Sequence, residues 1–278
     1  MIQLFHDVSY ECSKFTTTKY STSFASAIRL LHKDLQKPVY NIYGFVRFAD
    51  EIVDTFHEYD KEQLLKEFKN ETYKAIERKI SLNPILNSFQ LTVNEYEIDI
   101  KLIDAFFKSM EFDLEKNTYD PTDYKDYIYG SAEVVGLMCL NIFCEKDQLK
   151  YEKLMPYAQS LGAAFQKVNF LRDVKSDYQQ LERTYFPGID FRNFTPVCKK
   201  NIEAEIMADF SNAYDGITQL PLKARFGVYV AYKYYLSLFK KIKRTRAEKI
   251  LERRIRIPNY SKALIVMRAT VKNQLKLI

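Results

Sequence analysis

The chain has 278 residues, of which 42 are Lys or Arg and 36 are Asp or Glu, so its formal net charge at pH 7 is a modest +6. This balance does not favour a nucleic-acid-binding protein, which usually carries a much stronger positive field. The length allows one large domain or two small ones. Because no linker, low-complexity tract or repeat interrupts the chain, we predict a single domain over residues 1–278.

The predicted elements are all helices. Apolar residues recur at helical spacing through most of the chain, and no long run alternates apolar and polar residues as a half-buried strand does. Several prolines stand near the starts of the periodic segments, where a helix tolerates them. We therefore predict an all-α fold, with helices over residues 18–35, 39–56, 60–80, 82–92, 99–116, 122–131, 133–145, 150–180, 199–215, 221–247 and 259–275. The segment 183–198, which contains two prolines and one glycine, is predicted to be a loop that closes over a site.

The sequence argues against several classes of protein and of functional site. The four cysteines and three histidines lack paired or metal-ligand spacing, which disfavours a zinc site and a Ser-His-Asp triad. Without a signal peptide, the cysteines are expected to be reduced thiols of a cytoplasmic protein. No apolar run approaches 18 residues, so we expect no transmembrane helix. Gly-rich nucleotide-binding motifs are absent as well.

A row of polar side chains lies in one predicted helix. Asn169, Asp173 and Asp177 stand four residues apart, so they share one helix face, and Gln166 and Arg172 lie near it. Such a row on a helix is usually a solvated face. Here the neighbouring residues are apolar and aromatic, which favours burial, and buried carboxylates need partners.

A second acidic set consists of Asp50, Glu51 and Asp54, with Arg47 one turn earlier. Two helices that each carry an Asp-x-x-x-Asp pair can face each other across a pocket, where the carboxylates repel unless divalent cations lie between them. Ligands that are all oxygen suit Mg²⁺ rather than Zn²⁺. Because Mg²⁺ commonly completes its coordination with substrate phosphate oxygens, the two sets together predict metal-assisted chemistry on a diphosphate.

Five motifs follow one another between about residue 15 and residue 265. They are Tyr20-Ser21-Thr22-Ser23-Phe24, Arg47-x-x-Asp50-Glu51-x-x-Asp54, Tyr127-x-Tyr129-Gly130 continuing to Gly136, Asn169-x-x-Arg172-Asp173-x-x-x-Asp177 with Arg183-Thr184-Tyr185-Phe186-Pro187, and Arg254-Ile255-Arg256-Ile257-Pro258. In this order they resemble the motifs of the squalene/phytoene synthases, which are head-to-head prenyltransferases, and they look most like bacterial phytoene synthases. Tyr20 stands where that family usually has His.

The resemblance implies a helical bundle of the isoprenoid-synthase type around a central cavity. It implies Mg²⁺-dependent condensation of two geranylgeranyl diphosphates to phytoene through a cyclopropylcarbinyl diphosphate, with Mn²⁺ as a possible substitute metal. The implied metal ligands are Asp50, Asp54, Asn169, Asp173 and Asp177. The implied catalytic residues are Asp50, Asp54, Asp173, Asp177, Tyr127, Tyr129, Arg47 and Arg172. The implied substrate-binding residues are Ser21, Ser23, Phe24, Ile28, Tyr43, Arg47, Gln166, Asn169, Arg172, Arg183 and Tyr185.

Two alternatives to phytoene synthesis stay open. The chain could be a squalene or dehydrosqualene synthase that uses the C15 farnesyl diphosphate. Squalene synthesis would require NADPH, whereas phytoene synthesis would not. A remoter alternative is a non-catalytic assembly factor of the same superfamily. The sequence does not indicate which group accepts the final proton, and it does not indicate the oligomeric state.

Two compositional features bear on the lipid character of such a substrate. The aromatic residues number 21 Tyr and 20 Phe, and a pocket lined by Phe24, Tyr43, Phe165 and Tyr127 would stabilise a carbocation. The basic stretch 240–258 is either a solvated helix face or a surface that docks on anionic headgroups. We therefore expect peripheral contact with membrane lipid, on the inner face of the membrane, and no nucleic-acid partner.

Overall fold

The computed structural model describes the chain except for residues 117, 181–182, 190–193, 253 and 276, and for the side chains of residues 176–180. Within these described residues there is no strand, and Thr118 and Thr184 form an isolated bridge. The helices are α1 (Ile2–Tyr20), α2 (Thr22–Ile28), α3 (Lys33–Thr55), α4 (Lys61–Arg78), α5 (Pro84–Tyr96), α6 (Ile100–Glu115), α7 (Pro121–Ile128), α8 (Val134–Cys144), α9 (Gln148–Gln180), α10 (Pro196–Gln219), α11 (Leu222–Arg244), α12 (Ala247–Ile250) and α13 (Asn259–Gln274). A π-helical turn, Tyr129–Glu133, joins α7 to α8. The prediction of an all-α fold is confirmed.

Helices α3 and α9 carry the two acidic sets, and the core holds both in place. α3 packs against α1, α5 and α8, while α9 packs against α8 and α10. Beneath α3, Phe45 stacks on Phe89 with 3.8 Å between ring centroids, and Phe106 and Phe107 pack around it. Burial of such large apolar rings contributes about 25 cal/mol per Å² removed from water. This packing fixes one side of α3, so the polar side chains on its other side occupy defined positions.

Helix α1 corrects the sequence-based prediction, which placed no helix before residue 18. Its buried face is formed by Ser9, Ser13, Thr16 and Thr17 rather than by apolar side chains. These hydroxyls are satisfied locally; Thr17 Oγ1, for example, donates to the Ser13 carbonyl at 2.8 Å. Because the face that packs is polar and small, the apolar periodicity that reveals most helices is missing here.

The predicted helix over residues 18–35 is also interrupted. Ser21 has extended backbone geometry, and its side chain accepts a hydrogen bond from the Phe24 backbone N–H at 3.2 Å. This is an N-cap, so a new helix, α2, starts at Thr22. The break changes the direction of the chain at a point where Tyr20 and Ser21 line the central cavity.

Close helix approaches depend on small residues. At Gly44 of α3, a Cβ would lie 2.6 Å from Ser13 Oγ of α1. At Gly130 of the π-helical turn, a Cβ would lie 2.3 Å from the Ala105 carbonyl oxygen of α6. Both distances are far below van der Waals contact, so only glycine permits these two approaches.

One helical stretch is long and apolar enough to cross a membrane by length and composition, which the sequence analysis did not expect. It runs over Pro121–Cys144, and 56% of its most apolar window is buried inside the protein. The stretch packs against α6 and α9. Its apolar character is therefore accounted for in large part by its place in the core.

Candidate active site

A cavity of about 1120 Å³ lies at the centre of the bundle. Its walls come mainly from helices α1 to α3 and α6 to α11 and from the π-helical turn, together with Tyr185 and Arg254 from the segments after α9 and α12. Charged side chains from α3 and α9 line one part of the cavity. Apolar side chains line the rest, among them Ile28, Leu140, Leu161 and Ile217. The space therefore suits a long apolar ligand with a charged end.

Asp50 and Asp54 of the acidic set on α3 line the cavity, and the set is paired with arginine. Arg47 forms ion pairs with Asp50, one turn later, and with Glu51. The Arg47 guanidinium also lies over the ring of Tyr20, 4.3 Å from its centroid. Burial, and secondarily the nearby Asp54 carboxylate, raise the pKa of Asp50 to about 7, and Arg47 only partly opposes this. Burial and a second carboxylate therefore both oppose ionisation of Asp50.

Arg183 connects Asp54 to a buried carboxylate that the sequence analysis did not single out. Its Nη1 lies 2.8 Å from Asp54 Oδ1 and 3.4 Å from Asp113 Oδ1, and its Nη2 donates to the Asp113 carbonyl at 2.6 Å. Burial raises the pKa of Asp113 to about 6, although Arg183 opposes this. Arg183 is only 5% exposed, so its charge is compensated by these carboxylates alone among the described residues.

Three tyrosines surround Asp113. Tyr127 Oη donates to Oδ2 at 2.8 Å, while Tyr119 and Tyr185 each donate to Oδ1 at 3.3 Å. Burial and the Asp113 charge raise the pKa of Tyr127 well above its usual value, so Tyr127 keeps its proton. We name this group, with Arg183, the Asp113 network. It connects α6, α7 and the segment after α9.

On α9, Asp173 is held by two arginines. Arg172 Nη2 lies 2.5 Å from Asp173 Oδ2, and Arg254 Nε lies 2.7 Å from Asp173 Oδ1. One turn earlier, Asn169 Oδ1 accepts a hydrogen bond from Tyr235 Oη at 3.3 Å. These polar groups line the same cavity as Asp50 and Asp54 of α3. Carboxylates and guanidinium groups therefore meet there from two helices that are far apart in sequence.

The oxygen donors of this region suit a divalent cation. Asp50, Asp54, Asn169 and Asp173 offer carboxylate and amide oxygens, which Mg²⁺ prefers. In the described residues, no three His, Cys, Asp or Glu side chains are close enough to form a ready-made metal site. The carboxylates instead pair with arginines. Burial is the main cause of the raised pKa of Asp50, and the Asp54 carboxylate adds to it; a divalent cation between the two would favour their ionised forms.

An aromatic cluster lies beside the charged residues. Phe165 and Tyr235 stack with 3.9 Å between ring centroids, and Phe24 contacts both rings at 6.0 and 5.6 Å. Tyr43 lies 5.6 Å from Phe24. Three of the four aromatic residues named from the sequence are thus neighbours. Tyr127 belongs to the Asp113 network instead, although it too lines the cavity.

Most of the residues that the sequence analysis named for a site line this cavity. They are Ser21, Phe24, Ile28, Tyr43, Arg47, Asp50, Asp54, Tyr127, Gln166, Asn169, Arg172, Asp173 and Tyr185. Arg183 lies behind them and reaches the cavity through Asp54. The side chain of Asp177 lies outside the described residues.

The structure places Ser23 and Tyr129 differently. Neither residue is among those that line the cavity. Tyr129 begins the π-helical turn and is 38% exposed on the outer surface. Ser23 is half-buried, and its carbonyl accepts a hydrogen bond from Ser26. In helix α2, Ser21, Phe24 and Ile28 share the inner face, so Ser23 points elsewhere.

The sequence analysis did not identify two residues of the site, Asp113 and Tyr235. Asp113 lies near the end of α6, 59 residues after Asp54 and 60 residues before Asp173, and a single Asp in an amphipathic helix carries no signal by spacing. Tyr235 is one of 21 tyrosines, and only its contacts with Asn169 and Phe165 distinguish it. Contacts that join distant helices are not encoded in local periodicity.

The bundle of α-helices around a cavity that is charged in one part and apolar in the rest defines the class of all-α isoprenoid synthases. Residues 17–261 match the family model described as squalene/phytoene synthase. The chain belongs to this family, and it is a prenyltransferase. The family consists of enzymes that condense two prenyl diphosphates head to head.

Named relatives in this family differ in product. A 4,4'-diapophytoene synthase of Staphylococcus haemolyticus is 27% identical over 68% of this chain and 66% of its own length, just under two thirds. A phytoene synthase of Cereibacter sphaeroides is 26% identical over 84% of this chain and 71% of its own length. A phytoene synthase of Arthrospira platensis is 24% identical over 95% of this chain and 93% of its own length.

Solved structures show the same fold. A dehydrosqualene synthase crystallised with a ligand superposes with a TM-score of 0.81 at 20% identity, over 98% of both chains. The squalene synthase HpnC of Alicyclobacillus acidocaldarius superposes with a TM-score of 0.74 at 20% identity, over 86% of this chain and 94% of its own. At such identities the likeness concerns the fold alone.

Proposed function

We propose that this enzyme condenses two geranylgeranyl diphosphates head to head to phytoene, through the cyclopropylcarbinyl intermediate prephytoene diphosphate, and releases diphosphate. The observation that carries the proposal is the cavity of about 1120 Å³, with carboxylates and arginines in one part and apolar walls in the rest. Such a cavity accommodates diphosphate groups and prenyl tails together. The phytoene synthases among the relatives support the C20 donor.

The charged residues would promote departure of diphosphate, which leaves as a polyanion. Arg47, Arg172 and Arg254 line the cavity and offer planar, bidentate recognition of phosphate oxygens, while Arg183 would act through Asp54. The carboxylates that now pair with these arginines would bind the cations of the ligand, which leaves the arginines to contact the phosphate oxygens. Members of the family use a divalent metal to bind diphosphate. We assign Mg²⁺ to Asp50, Asp54, Asn169, Asp173 and Asp177, where it would neutralise the charge that develops on the leaving oxygen.

The aromatic cluster would shield the carbocations that follow ionisation. The first allylic cation alkylates the double bond of the second substrate, and loss of a proton closes the cyclopropane ring. Ionisation of that intermediate, rearrangement and a second proton loss yield the triene. Rings of Phe24, Phe165 and Tyr235 present negative faces to a cation and offer no strong nucleophile. Their packing also excludes water, which would otherwise trap the cation.

Tyr127 is the side chain that we assign to proton transfer, alongside the departed diphosphate. It lines the cavity and donates to Asp113 at 2.8 Å. Its oxygen can accept a proton from the intermediate while its own proton passes to Asp113. Burial raises the pKa of Asp113 to about 6, which makes this carboxylate a better acceptor than an exposed one. Tyr129, which is exposed on the outer surface, is not suited to this role.

The second candidate is dehydrosqualene synthesis from the C15 farnesyl diphosphate. The diapophytoene synthase among the relatives favours it. Squalene would be the product only with NADPH as hydride donor. Incubation of the protein with C15 and C20 diphosphates, each with and without NADPH, followed by mass analysis of the products, decides between the three. A C30 product formed from C15 alone, with no product from C20, would reject phytoene synthesis.

Metal dependence follows from the oxygen donors. We expect EDTA to abolish turnover and added Mg²⁺ or Mn²⁺ to restore it, because the carboxylates cannot approach a diphosphate without cations between them. Zinc should not be required, since the proposed ligands are all oxygen. The measurement is diphosphate release against metal concentration, with circular dichroism as a check that EDTA leaves the fold intact. Turnover that survives in metal-free buffer, with zinc bound to the protein, contradicts the assignment.

Donor length is expected to depend on Ile28. Ser21, Phe24 and Ile28 line the cavity along one face of α2, and at 1.5 Å per residue Ile28 lies roughly 10 Å beyond Ser21. Ile28 is 4% exposed, so Ile28→Phe would overfill this part of the cavity at a cost of about 1–3 kcal/mol. We expect a shift toward C15, measured as the ratio of kcat/KM for the two donors. Leu30→Phe is the control, because Leu30 does not line the cavity. An unchanged ratio in a folded Ile28→Phe protein removes Ile28 from the tail site.

Finally, we propose peripheral contact of this protein with membrane lipid, because both its substrate and its product are lipids with long apolar chains. The basic stretch 240–258 has exposed Lys and Arg side chains. Arg254, at its end, lines the cavity. A charged surface beside the cavity suits a protein that takes its substrate from a bilayer with anionic headgroups.

A further inference from the structure

The last helix, α13, carries apolar side chains on both of its long faces. One face, which includes Ile265, Val266 and Ala269, packs against the body of the protein. The other face points to solvent. We name its apolar row the α13 stripe. Its members recur at spacings of three and four residues. They are Tyr260 (71% exposed), Leu264 (44%), Met267 (57%), Val271 (50%) and Leu275 (63%). A helix held by one apolar face and open on the other has an unpartnered surface.

The charge around the stripe is of one sign. Residues 253–278 contain seven Lys and Arg and no Asp or Glu. Arg268 and Lys272 are exposed beside the stripe, and within the described residues neither forms an ion pair. Burial, followed by Lys272 and Lys240, lowers the pKa of the neighbouring Lys233. The α13 stripe therefore lies in a region of concentrated positive charge.

The stripe also begins next to the active-site cavity. Lys262, in the first turn of α13, donates to Thr22 Oγ1 of α2 at 2.8 Å. Thr22 follows Ser21, which lines the cavity. From the other side, Arg254 contacts Asp173 at 2.7 Å, only five residues before α13 starts. The first residue of the stripe, Tyr260, is thus close in the chain to groups at the charged part of the cavity.

We propose that the α13 stripe is a membrane-docking surface, and that α13 lies in the plane of a bilayer with anionic headgroups, with the charged part of the cavity next to it. An amphipathic helix with apolar side chains on its outward face and basic side chains beside them binds at the boundary of headgroups and acyl chains. Anionic lipid complements the basic flank. The benefit of this position for catalysis rests on the proposed function, whereas the docking itself does not.

Charge disfavours the other simple occupant, a second copy of this chain. A two-fold symmetric contact would place the same surface on both sides. The basic residues of the two α13 helices would then face each other and repel across a contact that contains no carboxylate from residues 253–278. A bilayer with anionic headgroups has no such penalty.

The test is co-sedimentation of the full chain with vesicles, without substrate. We compare phosphatidylcholine vesicles with vesicles that also contain phosphatidylglycerol. The stripe variant is Leu264→Gln, Met267→Gln and Val271→Gln. Its matched control is Leu4→Gln, Val8→Gln and Phe15→Gln, which changes three apolar residues of α1 that are 71, 52 and 62% exposed but lie beside Asp7 and Glu11. A second pair is Arg268→Gln with Lys272→Gln, against Lys66→Gln with Arg78→Gln on α4.

Wild type should bind the anionic vesicles, and both α13 variants should bind them at least about 10-fold more weakly. Both control variants should bind as wild type does. Diphosphate release from detergent-dispersed substrate should be unchanged in the α13 variants, while release from vesicle-embedded substrate should fall. Equal binding by the stripe variant and wild type would overturn the proposal. So would a wild-type dimer that the stripe variant disrupts in analytical ultracentrifugation while vesicle binding stays unchanged. A variant that loses vesicle binding but still releases diphosphate from detergent-dispersed substrate would show that docking and catalysis are separate properties, so each proposal can fail without the other.

Discussion

Replacement of Asp50 or Asp173 by Asn is expected to reduce turnover by about 10²-fold or more, because each carboxylate contributes to charge stabilisation of the departing diphosphate. Both residues line the cavity, and they come from α3 and α9 respectively. The substitution keeps the size of the side chain and removes its charge. The measurement is kcat for diphosphate release under saturating Mg²⁺. Asp126→Asn, an exposed change on α7 away from the cavity, is the control and should leave kcat unchanged.

Thermal stability separates a catalytic loss from unfolding in the Asp50→Asn protein. The pKa of Asp50 in the folded state is raised to about 7 from 3.8. Between these two values the folded state binds more protons than the unfolded state, so this residue's contribution to stability is present at low pH and is lost as pH rises through about 7. In metal-free buffer at pH 8 we therefore expect the melting temperature of Asp50→Asn to equal or exceed that of the wild type. Between pH 5 and pH 8 the melting temperature of the variant should fall less than that of the wild type. An equally active Asp50→Asn protein would remove this residue from the site.

Asp113→Ala is expected to destabilise the protein by about 3–5 kcal/mol, because it removes one of the two carboxylates that compensate the buried Arg183 and leaves Asp54 as the other. Arg183 and Asp113 are 5% and 7% exposed. The substitution also removes the acceptor of hydrogen bonds from Tyr119, Tyr127 and Tyr185. The measurement is the shift of the urea unfolding midpoint at constant slope, converted to the free energy of unfolding.

A matched Asp→Ala change at the surface provides the comparison. Asp126 pairs with Lys108 at 2.9 Å, with both side chains about half exposed. Its removal should cost less than about 1 kcal/mol, since surface ion pairs are screened by water and salt. If Asp113→Ala costs no more than Asp126→Ala, the Asp113 network does not stabilise the fold. Asp113→Asn retains an oxygen acceptor of similar shape, so its loss of unfolding free energy should lie between those of Asp113→Ala and Asp126→Ala.

The sequence allowed the fold class and much of the site to be predicted, because those features are local. Helical periodicity and the lack of alternating segments predicted an all-α protein, and spacing of four placed Asn169 and Asp173 on one face of α9. The resemblance of five motifs predicted the family, which the match over residues 17–261 confirms. The N-terminal helix escaped because it buries Ser and Thr rather than apolar residues.

The tertiary structure alone decided which of these residues meet, and what else meets them. Arg183 pairs with Asp54 across 129 positions of sequence, and Arg254 pairs with Asp173 across 81. Such contacts arise when helices pack through their apolar faces, and no local pattern encodes which polar groups then become neighbours. The same packing brought Asp113 and Tyr235 into the site and left Tyr129 on the surface. Spacing along a helix thus determined which side chains share a face, whereas burial of the apolar faces determined which faces enclose the cavity.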